Sequence, residues 1–152
     1  MQEALVVYQA TGAQTSRARV CCQLAEQLGV LGDVKLASTI VEKEIETAGL
    51  AQYFQAELYR VKGELLWRQA DLTAAEEAFE HAIDIARHQK AKSVELRAVA
   101  ALYRMKRQQQ DAAEARQRLQ DVYVWFTEGL DTADLRDARA LLGLDQEQST
   151  KD

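Results

Sequence analysis

Apolar residues recur along this chain at intervals of three and four, so that most segments read as one face of an α-helix. The pattern is clearest over residues 53–91, where it predicts two amphipathic helices joined by a tight turn at Gln69-Ala70-Asp71. Phe54, Leu58, Val61, Leu65 and Leu66 share a face of the first helix; Leu72, Ala75, Phe79, Ala82, Ile83 and Ala86 share a face of the second. Small residues stand where the two helices must approach: Gly63 in the first, Ala75 and Ala82 in the second. A glycine inside a helix costs about 1 kcal/mol relative to alanine, and close packing is what offsets it.

Similar hairpins flank this one. Residues 1–12, with Ala4, Leu5, Val6, Val7 and Tyr8, predict a short helix with no partner before it, half of a repeat. Residues 15–49 predict a hairpin. Its first helix turns Val20, Leu24, Leu28 and Leu31 inward, with Ala25 at a close approach, and its second carries Leu36, Ala37, Ile40, Val41 and Ile45. Gly32 is a natural stop between them and Asp33 a natural N-cap. After the central repeat (51–90), a third (93–127) carries Leu96, Val99, Ala100, Leu102, Tyr103 and Met105, then Ala112, Ala115, Leu119, Val122 and Tyr123. Trp125 and Phe126 end it and Gly129 breaks the chain. A last helix over 131–143, capped by Asp131 or Thr132, places Leu135, Ala138, Leu141 and Leu142 on one face; residues 146–152 form a polar, disordered tail.

The hairpins are copies of a unit. Asp33, Asp71 and Asp111 follow the three turns at spacings of 38 and 40 residues. Ala37, Ala75 and Ala115 lie four beyond them; Val41, Phe79 and Leu119 lie eight beyond; Ala25 and Gly63 lie eight before. An aspartate opening a helix accepts backbone N–H bonds there, a contribution of about 1 kcal/mol. The expected fold is all-α: an α-solenoid of antiparallel helix hairpins with a C-terminal capping helix, one domain over residues 1–145.

Tyr59, Gly63, Leu66, Ala75, Phe79 and Ala82 follow the aromatic, small, large, small, aromatic, small order of the tetratricopeptide repeat, which the central hairpin resembles. The first copy departs with Glu44 at a small position. The third departs with Tyr103 at a small position and Lys106 at a large one. The period exceeds the usual ~34 residues and no copy ends in proline. Three segments are more narrowly similar to the C-terminal repeat region of large bacterial signalling regulators that carry an ATPase and often a nucleotide-cyclase or DNA-binding module. They are Ala56-Glu57-Leu58 through Gly63-Glu64-Leu65-Leu66; Ala91-Lys92-Ser93 through Glu95-Leu96-Arg97-Ala98; and Trp125-Phe126-Thr127-Glu128-Gly129 through Ala138-Arg139-Ala140-Leu141-Leu142. The resemblance implies a non-catalytic docking region. The family's ATPase and cyclase chemistry does not lie in it, for it has no glycine-rich phosphate loop.

Composition narrows the picture. Proline is absent, glycine is rare at seven in 152 residues, and the formal net charge is −5, all of which favour a helical chain that does not bind nucleic acid. No apolar run reaches the roughly 18–20 residues of a membrane span and no leader is evident, so a cytoplasmic protein away from the membrane is expected. Cys21 and Cys22 are adjacent, a poor geometry for a mutual disulfide, and a buried small-residue role outweighs a reactive thiol beside Arg19. His81 and His88, seven apart, lack the four-residue spacing of a helical zinc pair and are expected on an exposed face. Glu76-Glu77 and Glu42, Glu44 and Glu46 read as solvated faces. No catalytic group, metal or cofactor is expected.

One strip has the chemistry of a docking surface. Arg97, Arg104 and Arg107 fall at 0°, about −20° and about −80° around their helix. Arg60 and Trp67 of the central copy, with Glu64 between them, are expected to face the same concave groove. Guanidinium groups hold carboxylates in pairs and an indole adds contact area, so the expected partner is a protein or an acidic peptide. The competing expectations are that these arginines pair with Glu95 or Asp111, and that the chain is a structural or oligomerising segment that forms a homodimer through its first helix.

Overall fold

The computed structural model describes residues 14–47 and 54–144, and these form seven helices with no strand among them. They are α1 (Gln14–Val30), α2 (Val34–Thr47), α3 (Gln55–Arg68), α4 (Leu72–His88), α5 (Lys92–Gln108), α6 (Ala113–Tyr123) and α7 (Ala133–Leu142). The fold is all-α, as the periodicity predicts. The first half-repeat, the closure at Ala48 and Gly49, Tyr53 and the polar tail lie outside the described residues.

By contacts the chain divides into two compact units, Met1–Ile85 and Ala86–Asp152. In the first, α1 packs on α2 and α3, and α2 on α3. In the second, α5 packs on α6, and α7 on both. Within each unit neighbouring helices thus pack as in a solenoid of hairpins. In the first unit one core cluster joins Ala18, Cys22 and Ala25 of α1, Ala37 and Val41 of α2, and Leu58, Val61 and Leu65 of α3, and α4 buries Ala75, Phe79, Ala82 and Ile83. In the second, Leu96, Val99, Leu102 and Met105 of α5, Leu119 of α6 and Ala138 of α7 are buried.

Gly63 shows why the central hairpin needs a glycine. A Cβ built there would lie 2.6 Å from Phe79 Cε1, so α3 and α4 approach more closely than any side chain allows. At the matched positions of the third hairpin the sizes are exchanged: Tyr103 is buried where Gly63 stands, and the smaller Leu119 where Phe79 stands. Glu44, at a small-residue position, is buried with Arg17 Nε 3.0 Å from its Oε2, so the ion it adds is paired.

Five of the helix ends, those of α1, α3, α4, α5 and α7, share one backbone device. Gly32, Ala70, Lys90, Gln110 and Gly143 all have positive φ. The next residue's N–H then reaches back five positions: Asp33 to Leu28 O at 2.9 Å, Asp71 to Leu66 O at 3.1 Å, Ala91 to Ala86 O at 2.9 Å, Asp111 to Lys106 O at 3.2 Å and Leu144 to Arg139 O at 3.2 Å. Asp33 and Asp71 also cap the helices that follow, with Oδ1 accepting from Leu36 N at 3.3 Å and Ala74 N at 3.1 Å.

Several expectations are corrected. Asp111 does not cap α6, which starts one residue later with Ala112 in the N-cap place and no side-chain bond there; Asp111 is exposed. Neither Asp131 nor Thr132 caps α7 through its side chain. Leu31 is 80% exposed because α1 has ended at Val30 and the turn carries Leu31 away from the apolar face. Leu36 and Leu72, in the first turns of α2 and α4, are 39% and 40% exposed.

Candidate functional site

The expected docking residues fall into two sets, one in each unit. In the first, Arg60 projects from α3 yet is only 6% exposed. Its Nε and Nη2 donate to Glu57 Oε1 at 3.1 and 2.7 Å, its Nη1 to Glu64 Oε1 at 2.5 Å, and its Nη2 also to Glu26 of α1. Burial works against the guanidinium charge, but Glu57, Glu64 and Glu26 outweigh it and hold the proton more firmly than in a free arginine. Arg60 and Glu64 are therefore brought together as a buried brace across α1 and α3. They do not present an open surface. Trp67 lies half-buried on the same helix.

In the second unit, Arg97 and Arg104 meet acids that sequence order did not suggest. Arg97 Nη1 donates to Asp134 Oδ2 at 3.0 Å, and Arg104 Nη2 pairs with Asp137, so both expected arginines bind α7. A cavity of about 130 Å³ remains beside them, lined by Leu96, Arg97, Ala100, Arg104, Asp134 and Asp137. Arg107 is exposed, its guanidinium carbon 5.7 Å from the Tyr103 ring centroid. The suggested partners are engaged elsewhere. Glu95, 2% exposed, accepts from Arg87 Nε at 2.9 Å and Lys92 Nζ at 2.7 Å, and Asp111 lies 3.9 Å from Lys106 Nζ. Burial pushes the Glu95 carboxyl up, but Lys92 and Arg87 more than reverse this and leave it below the ordinary 4.5.

A further feature lies on the hairpin of α3 and α4. Tyr59, Lys62 and Leu66 on one helix and Ala74, Glu77, Ala78 and His81 on the other line a surface groove of about 390 Å³. The Tyr59 and His81 rings meet edge to face with centroids 4.2 Å apart, forming one wall. Leu66, Ala74 and Ala78 supply apolar surface, and Lys62 and Glu77 supply opposite charges. Sequence reasoning marked Tyr59 and Leu66 as repeat positions but missed the groove. The signal was Lys62, a charged residue between them on the same face at a spacing of three and four.

Cys21 and Cys22 are free and buried. Burial, then the nearby Glu44 carboxylate, pushes the Cys21 thiol up to about 11. Burial, then Glu57, pushes Cys22 up to about 12, so neither is an activated thiolate near neutrality. His81 and His88 are both exposed. Among the described residues no cluster of three or more His, Cys, Asp or Glu side chains is arranged to hold a metal ion, and no helix is long and apolar enough to cross a membrane. In the segment after α6, Val124 and Trp125 are 64% and 59% exposed, with Trp125 edge-on to Phe126 and Lys92 Nζ 5.9 Å from its ring centroid. Comparison with known protein families, with curated proteins and with solved structures finds no match.

Proposed function

We propose that this chain is a non-enzymatic interaction module that docks a segment of another protein. The observation that carries the reading is the groove between α3 and α4, which combines an aromatic wall, an apolar floor and a rim bearing one lysine and one glutamate on two closely packed helices. Such a surface accepts an apolar side chain with a carboxylate nearby for Lys62. It therefore takes over the docking role that the sequence assigned to the arginine strip. The resemblance to tetratricopeptide repeats supports the same reading, as part of a bacterial signalling regulator. Two buried free thiols suit a reducing cytoplasm.

Selection of displayed random peptides on the full chain tests the proposal. Peptides pairing an apolar with an acidic residue are expected to enrich, and to lose about tenfold or more in affinity against Tyr59→Ala or Lys62→Glu chains of unchanged helicity. Failure to enrich any such peptide over the doubly substituted chain would remove the groove from consideration.

Self-association is a second reading, favoured by Val30 and Leu31, 67% and 80% exposed beside one turn. Light scattering that reports a concentration-dependent dimer, abolished by Leu31→Lys, would establish it.

A further inference from the structure

Helix α7 has ten residues and is joined to α6 by a nine-residue segment, 124–132, that contains no helix. Leu135, Ala138 and Leu142 are buried beneath it, and Arg116 Nη2 donates to Leu142 O at 3.0 Å. Its edge towards α5 is ionic, Asp134 on Arg97 and Asp137 on Arg104. These pairs are half-exposed, so each adds little to holding the helix. The seat is also not filled. The cavity of about 130 Å³ opens between the two pairs and the Leu96 and Ala100 side chains. A helix this short does not persist in water by itself, so α7 is helical because it is seated.

We propose that the face of α5 and α6 beneath α7 is a docking seat for an acidic amphipathic helix of a partner protein, and that α7 occupies this seat in the free chain. The proposal rests on the interaction-module reading and adds a second surface to it. The intrachain occupant specifies the chemistry of the partner. Carboxylates three residues apart match Arg97 and Arg104, an apolar residue follows the first acid as Leu135 follows Asp134, and a small residue follows the second as Ala138 follows Asp137. A partner with a bulkier apolar side chain against Leu96 and Ala100 gains contact that α7 leaves unmade. Binding then requires release of α7, so the chain limits its own affinity.

The probe is a fluorescent peptide of residues 131–144, blocked at both ends, titrated into the full-length chain and into the same chain carrying Leu135→Asp to release α7. Binding is expected to be about tenfold or more tighter in the released chain. Adding Arg97→Glu with Arg104→Glu, or exchanging both peptide aspartates for asparagine, is expected to remove that gain. Hydrogen exchange is read alongside. In the unsubstituted chain α7 amides are expected to exchange well before those of α5. Should Leu135→Asp also open α5 and α6, Asp134→Lys with Asp137→Lys replaces it as the releasing change. Exchange of α7 only together with α5, or no peptide binding by a released chain whose α5 and α6 stay protected, would overturn the proposal. Peptides selected on the Tyr59 groove serve as the control: if they still bind, the seat alone has failed.

Discussion

Each unit buries one ion held by several partners at once, and these two ions have opposite sign. In the first unit, which also buries Glu44 against Arg17, the multiply held group is a base, Arg60, with Glu26, Glu57 and Glu64 around it. In the second it is an acid, Glu95, with Arg87 and Lys92 around it. An arginine does not titrate in any ordinary range, so the first brace keeps its central charge at every working pH. A carboxylate can be neutralised, so the second brace can be switched off by acid. The reach differs as well. Arg60 ties α3 to α1 across 34 residues of sequence, whereas Glu95 gathers groups from the end of α4 and the first turn of its own helix.

The largest effect is expected from Arg60→Ala, which leaves three carboxylates facing one another in and beside the core. A loss of about 3 kcal/mol is expected in urea denaturation, with Glu57→Gln and Glu64→Gln restoring part of it. A cost within noise would mean that the brace is an ornament of the surface. A smaller, pH-dependent effect belongs to Glu95. Its carboxyl pKa is lowered on folding, so its contribution is present above the ordinary 4.5 and lost as pH falls through the lower folded value. Amides of α5 are expected to lose protection on acidification below about 4.5, and Glu95→Gln to flatten that dependence. The smallest effect is expected from Arg97→Ala and Arg104→Ala, under about 1 kcal/mol each, since their ion pairs are partly solvated. A loss as large as that from Arg60 would make α7 an integral part of its unit.

The contrast also marks where sequence reading succeeds. Helix positions, the turns, the close approach at Gly63 and the caps at Asp33 and Asp71 were legible because they are local, set by a 3.6-residue period and by residues within four positions of each other. The same periodicity misplaced Leu31, since an apolar pattern does not announce that its helix has already ended. Charge partners were not legible. Arg97 and Arg104 meet acids 37 and 33 residues ahead, and Arg60 meets one 34 residues behind, distances at which a sequence gives no pairing rule. Arg60 looked like a groove residue for that reason, and the groove at Tyr59 stayed hidden because its two walls come from different helices.

The corners have a consequence of their own. Glycine, alanine, lysine and glutamine all occupy the same left-handed position, and each time a main-chain bond reaching back five residues closes the turn. The turn needs a dihedral angle rather than a particular letter, so copies of the unit differ in spelling while keeping one stroke of the pen. Kinship among the hairpins is accordingly written more plainly in how the chain bends than in which residues do the bending.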